Sequence, residues 1–290
     1  MTKPEIKLTS PTQLKRLLDR HGVSLNKRLG QNFLVDENHL RRICQLADLD
    51  PDRRVLEIGA GAGTLTRALA ELAGAVWTIE YDRHLLPVLA ETLHGLDNVH
   101  LVHGDALALD LETLVSGGGR AARVVANLPY YITSPLLFKL LAGWRTWDRI
   151  VVMVQREVAE RIVAAPGGKD YGALSVAVGL AGQARLMAHV PANAFFPRPD
   201  VSSSVVLIDL YQCPEQAIDR EIFFALVRSA FRQRRKTLGN SLSAAKELGL
   251  SKHQVNAMLM NAGVDPARRA ETLTVAEFKA IAQVVKSFQA

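Results

Sequence analysis

Four consecutive residues, Asn127-Leu128-Pro129-Tyr130, bear the most telling chemistry in the chain. They follow the apolar run Val124-Val125-Ala126, which reads as a buried strand ending in an amide. An amide, a ring that fixes the backbone and an aromatic face make a poor set for acid–base work. They make a good set for holding a flat, amine-bearing ring still. Chemistry on an exocyclic amino group is the expectation.

A second group lies upstream. Glu57-Ile58-Gly59-Ala60-Gly61-Ala62-Gly63 falls between a strand-like and a helix-like segment, where glycine lets the backbone turn tightly and approach a ligand. The dinucleotide fingerprint G-x-G-x-x-G needs a glycine where Thr64 stands, so the pattern is G-x-G-x-G after an acid. No G-x-x-x-x-G-K-[ST] phosphate loop occurs. Glu80 comes 21 residues after Gly59, the distance expected of a carboxylate that accepts from ribose hydroxyls. Asp105, in Gly104-Asp105-Ala106, ends the next strand-like run, where a carboxylate accepts from an adenine amine. Either acid alone reads as well as a helix cap; with the glycine turn and Asn127 they read as one nucleoside site.

The elements that position these groups alternate. Strands are predicted at 54–58, 75–80, 99–102, 123–126 and 150–154, with helices at 64–73, 83–93, 134–141 and 157–164. That alternation predicts an α/β fold with a mostly parallel sheet covered on both faces. Residues 171–180 read as a helix, and 185–190 and 203–211 as antiparallel edge strands. From Glu215 onward every signal is helical, so a boundary is placed near Cys213-Pro214, giving domains 1–212 and 213–290. Residues 1–26 form an N-terminal extension with no assigned function.

Charge is uneven. Residues 213–290 hold 12 Lys/Arg and seven Asp/Glu, a net +5 of the chain's +6, which leaves +1 for residues 1–212. A basic helical tail on a near-neutral core is the footprint of a polyanion-binding domain. Arg228, Arg232, Arg234, Arg235 and Lys236 place five basic residues within nine, with no acid between them. They are the expected phosphate contacts, and Lys15, Arg16, Arg20, Lys27 and Arg28 extend the basic surface. No secretory signal or membrane-spanning run is visible, no metal-ligand spacing occurs, and two cysteines, Cys44 and Cys213, suit a reducing cytoplasm.

These motifs together resemble those of S-adenosylmethionine-dependent methyltransferases acting on adenine N6. Gly30-Gln31-Asn32-Phe33-Leu34, Phe195-Phe196-Pro197-Arg198-Pro199-Asp200-Val201-Ser202-Ser203 and Arg234-Arg235-Lys236-Thr237-Leu238-Gly239-Asn240-Ser241-Leu242 narrow the resemblance to the small-subunit branch of the rRNA adenine dimethyltransferases. It covers about residues 27–245. It implies a Rossmann-like class I fold with a seven-stranded sheet and a small helical C-terminal domain. S-adenosylmethionine is the implied cofactor, and two adjacent adenosines near the 3′ end of 16S rRNA are the implied target. Asn32 and Leu34 would help close the cofactor pocket. Gly59 would sit against the methionine part, Glu80 would hold the ribose and Asp105 the adenine, with Gln31, Gly61 and Ala106 as further cofactor-binding residues. Asn127 would serve both cofactor and target amine.

A methyl sulfonium is already a strong electrophile, so positioning matters more than proton abstraction. The Asn127 side-chain oxygen accepts one amine hydrogen, and the carbonyl of Pro129 or Leu128 accepts another. Tyr130 would stack on the target base, with Phe195 or Phe196 opposite and Phe196 favoured because it abuts the prolines. A monomer acting within the small subunit or a late assembly intermediate is expected. Three competing readings remain: a large-subunit adenine methyltransferase of the antibiotic-resistance type, an NAD-dependent dehydrogenase, and a non-catalytic rRNA-binding assembly factor. The segments at 195–203 and 234–242 oppose the first, and the missing sixth-position glycine opposes the second. The complete set of cofactor residues opposes the third.

Overall fold

The computed structural model describes residues 6–25, 30–117, 120–143, 145–211, 218–233 and 235–288. Seven strands form one sheet: β1 (Arg54–Ile58), β2 (Ala75–Glu80), β3 (Val99–His103), β4 (Ala122–Asn127), β5 (Trp147–Gln155), β6 (Gly182–Val190) and β7 (Ser203–Leu210). Their spatial order is β3-β2-β1-β4-β5-β7-β6. β1 is parallel to β2 and β4, β2 to β3, and β4 to β5, whereas β7 is antiparallel to β5. The fold is thus α/β with a mostly parallel sheet, and the antiparallel element sits near its edge. Strands buried on both faces need unbroken apolar runs. Val124, Val125, Ala126 and the five residues Ile150 to Val154 are each no more than 1% exposed.

Strand order reverses at β1, between β2 and β4. In open α/β sheets the crevice outside the carboxyl ends at such a point takes the ligand. Glu80, Asn127 and the glycine turn all lie at that edge because each ends or follows a strand meeting there.

The chain divides into two compact units. The first comprises Met1–Leu136, Gly143–Ala159 and Arg185–Leu210; the second comprises Leu137–Ala142, Glu160–Ala184 and Tyr211–Ala290. The first holds α1 (Pro11–Arg20), α2 (Glu37–Ala47), α3 (Thr64–Ala70), α4 (Leu86–Thr92) and α5 (Leu111–Leu114). Helices α6 (Thr133–Ala142) and α7 (Arg156–Ile162) begin in the first unit and end in the second. The second holds α8 (Ala173–Ala181), α9 (Arg220–Phe231), α10 (Leu238–Ser243), α11 (Lys252–Asn261) and α12 (Val275–Val285). There α9 buries Phe223, Phe224, Leu226, Val227 and Ala230 at helical spacing, and Phe231 stacks on Phe278 with ring centroids 5.8 Å apart.

The N-terminal extension has a structural role that its sequence did not reveal. Leu14, Leu17 and Leu18 of α1 join Leu8 and Val23 in a buried cluster with Phe33, Ala60, Ala62, Leu85, Val88 and Leu89. Arg20 Nη2 and His21 Nε2 both meet the Glu91 carboxylate of α4, at 2.6 and 2.8 Å. Residues 6–25 therefore back the wall formed by Phe33, the glycine turn and α4. The expected extension of the basic surface is correspondingly smaller: Lys15 pairs with Asp19 at 2.7 Å and Arg20 with Glu91, so both charges are locally matched. Lys27 and Arg28 lie outside the described residues.

Candidate active site

The glycine turn leaves β1 with Gly59, Gly61 and Gly63 all at positive φ, between +60° and +88°. Two of them are crowded as well. A Cβ on Gly61 would sit 3.1 Å from the Phe33 ring, and one on Gly63 would sit 2.8 Å from Thr92 Oγ1 of α4. The third glycine of G-x-G-x-G thus lets α3 start close against α4.

Two carboxylates shape the turn. Glu80 is 7% exposed; its Oε2 accepts from Gly61 N at 2.9 Å and its Oε1 from Asp82 N at 2.8 Å. The Tyr81 amide is directed at the same carboxylate, which leaves one of its four acceptor positions for a hydroxyl. Burial raises the Glu80 carboxyl above its ordinary range, against the pull of those amides. Glu57, 1% exposed, accepts on one oxygen from Thr66 Oγ1 and Thr78 Oγ1, both at 2.6 Å. Burial pushes its pKa up to about 8, with Thr66 and Thr78 opposing the rise. The sequence marked Glu57 only as an acid before the turn. Its two threonine partners, nine and 21 residues away, are the signal that distinguishes it from a solvated acid.

A group whose pKa rises on folding contributes fully below its unfolded value and loses that contribution as pH climbs through the folded value. The window for Glu57 runs from about 4.5 to about 8. Glu57→Gln copies the neutral acid, so the variant's stability relative to wild type is expected to improve steadily between pH 5 and pH 8 and to level off above that. The gain per pH unit is at most about 1.4 kcal/mol. Urea unfolding of both proteins across that range measures it, and parallel pH profiles would contradict it.

One cavity at the carboxyl edge of the sheet is lined by Gln31, Asn32, Leu34, Gly59, Gly61, Glu80, Asp105, Ala106, Asn127, Leu128, Pro129 and Tyr130, together with apolar walls that include Phe33, Ile58, Leu65 and Ile79. All the expected cofactor residues are brought together there. Asp105 is exposed and its Oδ1 accepts from Leu107 N at 2.8 Å, while Gln31 Nε2 donates to Asp82 Oδ2 at 2.6 Å. A glycine cradle, two carboxylates from the ends of neighbouring strands and apolar walls have the chemistry to hold a nucleoside joined to an amino acid.

The target side of the cavity is held just as firmly. Asn127 Nδ2 donates to Asn32 O at 3.1 Å, which leaves Oδ1 as the side chain's acceptor. The Pro129 carbonyl is already taken, by Ile132 N at 3.2 Å and Thr133 Oγ1 at 3.0 Å. Of the two carbonyls left open by the sequence, that of Leu128 is the available one among the described residues. Tyr130 is anchored through its hydroxyl to Ser203 Oγ at 2.8 Å, so the serine closing the 195–203 motif holds the tyrosine of the 127–130 motif.

The Gly30–Leu34 and Phe195–Phe196 segments pair antiparallel, Phe33 opposite Phe196 and Leu34 opposite Phe195. Phe195 is 4% exposed and packs in the core with Leu34, Ile43 and Val125. Phe196 is half-buried against the Phe33 cluster and, among the described residues, is not part of the cavity lining. In the second unit, Arg228, Arg232, Arg235 and Lys236 are exposed, and Arg234 lies outside the described residues. The strip has an acid beside it after all: the carboxyl of Glu247 is held below its ordinary range by its own backbone N–H, the Ser229 hydroxyl, Arg232 and Arg228. Among the described residues no helix is long and apolar enough to cross a membrane.

Known proteins resemble this chain over most of its length. A small-subunit ribosomal RNA methyltransferase A of Pelotomaculum thermopropionicum is 46% identical over 286 residues, covering 96% of this chain and 97% of that protein. A crystal structure of a dimethyladenosine transferase from Plasmodium falciparum superposes with a TM-score of 0.67 at 25% identity, over 87% of this chain and 97% of that one. The 23S rRNA methyltransferase ErmE superposes with a TM-score of 0.60 at 26% identity, over 88% of this chain and 100% of its own. Residues 22–287 match the family described as ribosomal RNA adenine dimethylase, and with the identity above this places the chain in that family of methyltransferases.

Proposed function

We propose that this chain transfers methyl groups from S-adenosylmethionine to the N6 amines of two adjacent adenosines near the 3′ end of 16S rRNA, giving N6,N6-dimethyladenosine. The observation that carries the reading is the Asn127 amide, held by Asn32 O, with its oxygen unpartnered among the described residues in the lining of the cavity. The small-subunit assignment rests on the near full-length similarity to the small-subunit enzyme rather than the 26% identity to the large-subunit one.

When bound, S-adenosylmethionine supplies an electrophilic methyl group. The chain's own residues do the positioning. Asn127 Oδ1 and the Leu128 carbonyl each accept a hydrogen from the target amine, which draws electron density back onto nitrogen and directs its lone pair. Tyr130, braced by Ser203, offers its face to the flipped base. Phe196 is the candidate for the opposite face. Glu80 holds the ribose, Asp105 and Ala106 the adenine, and Gln31, Asn32 and Leu34 close the pocket. The ammonium product is acidic enough to release its proton to water.

Residues 1–212 then form the methyl-transferring part and 213–290 the rRNA-binding part, acting as a cytoplasmic monomer on the small subunit or a late assembly intermediate. Arg228, Arg232, Arg234, Arg235 and Lys236 meet rRNA phosphates. Replacing Arg235 and Lys236 by alanine is expected to flatten the log–log salt dependence of rRNA binding by about one for each phosphate left without its cation. An unchanged slope would remove the pair from the interface.

The test is transfer of labelled methyl to small subunits lacking dimethyladenosine, with naked large-subunit rRNA alongside. Label in the small subunit as N6,N6-dimethyladenosine supports the proposal. Label only in large-subunit rRNA moves the target to the other branch.

A further inference from the structure

Tyr130 and Tyr131 are adjacent, yet their hydroxyls belong to different sides of the cavity. Tyr130 is tied to Ser203, at the start of β7. Tyr131 is 51% exposed, lines the same cavity, and its phenol lies within electrostatic reach of Tyr81, Asp105 and Glu80, which follow or end β2 and β3. Among the described residues the Tyr131 side chain has no hydrogen-bond partner and no ring stacked against it. A large half-exposed ring at a cavity mouth, unpaired by protein, is a stacking surface in search of a ligand.

We infer that Tyr131 is a cofactor-binding residue, its ring covering the nucleoside held by Glu80 and Asp105, while Tyr130 serves the target base. This rests on the reading that the cavity takes S-adenosylmethionine. The two tyrosines divide the labour because strand β4 ends at Asn127 and Pro129 O closes a turn onto Ile132 N. That turn sends successive side chains to opposite walls, one toward β7 and one toward β2 and β3. The nucleoside of a cofactor seated between the two acids is then enclosed from the solvent side by an aromatic face, and water is kept from it.

Calorimetric titration with S-adenosylhomocysteine tests the assignment without catalysis. Tyr131→Ala is expected to weaken its binding about fivefold to tenfold, the usual range for one aromatic contact, and Tyr131→Phe to restore it, since the face and not the hydroxyl does the covering. Affinity for small-subunit rRNA is expected to stay within about twofold, since a side chain outside the set that touches the partner is energetically near-neutral. Unchanged S-adenosylhomocysteine affinity in Tyr131→Ala overturns the inference, as does a loss confined to rRNA binding, which would make Tyr131 a nucleotide contact. Failure of the wild-type protein to bind S-adenosylhomocysteine would instead strike the cofactor reading beneath it.

Discussion

Asn127→Ala is expected to lower kcat for methyl transfer by about two to three orders of magnitude, the cost of removing one preorganised polar group aimed at the reacting atom. The reasoning is geometric. Asn127 stands at the end of β4, the strand beside the sheet's reversal point, and its amide nitrogen is already spent on Asn32 O at 3.1 Å. The oxygen is therefore held in place before substrate arrives, so no ordering cost falls on the reaction. Alanine removes the acceptor and also frees the Asn32 carbonyl, which loosens the Gly30–Leu34 wall. A modest weakening of S-adenosylhomocysteine binding, under about tenfold, accompanies the loss; one hydrogen bond to a neutral group is worth about 1 kcal/mol. Asn127→Asp separates the two effects. It keeps acceptor oxygens for the amine but sets a carboxylate against the Asn32 carbonyl. Steady-state kinetics at saturating cofactor give kcat, single-turnover kinetics give the rate of the methyl-transfer step itself, and a fully active Asn127→Ala enzyme would end the proposed role.

Glu80→Gln is the second large effect, and it falls on cofactor affinity. Both carboxylate oxygens accept from backbone amides, Gly61 N and Asp82 N. An isosteric amide has one oxygen and one NH2, so one of those backbone donors would face another donor. Leaving a buried N–H without its acceptor costs about 1–3 kcal/mol. The carboxylate's hold on the ribose weakens as well. Together these are expected to raise the dissociation constant for S-adenosylhomocysteine by about one to two orders of magnitude. Methyl transfer at saturating cofactor is expected to survive in large part, which distinguishes this variant from Asn127→Ala. Because burial raises the Glu80 carboxyl, wild-type affinity is also expected to fall as pH is lowered, as protonation removes an acceptor. Titration calorimetry between pH 5 and pH 8 reads both effects; a glutamine variant with wild-type affinity would show that Glu80 serves the turn alone.

Much of this site was legible in the chain because its signals are local. A glycine turn needs three glycines within five residues, and the structure has all three at positive φ. The Asn127-Leu128-Pro129-Tyr130 run carries its own strand in front of it. Apolar runs alternating with helical spacing specify a parallel sheet, since only strands covered on both faces tolerate such runs. The acids at 80 and 105 fall at strand ends for the same reason, and strand ends in such a sheet converge on one edge.

What the tertiary structure alone decided involves partners far apart in sequence or choices between neighbours. Pairing of Phe33 and Leu34 with Phe196 and Phe195 joins segments about 160 residues apart, and it sends Phe195 into the core while leaving Phe196 half-buried. Residues 6–25 carry an ordinary amphipathic pattern whose receiving surface, the glycine turn and α4, does not show in their own composition. Lys15 and Arg20 read as free charge until Asp19 and Glu91 stand beside them. The Pro129 carbonyl is an open acceptor in sequence and a filled one in space, because a turn and a threonine hydroxyl reach it first. Composition and spacing determine which elements form and where their ends lie. Which of two adjacent side chains faces a ligand, and which polar groups are already satisfied, depends on the long-range packing that brings those ends together.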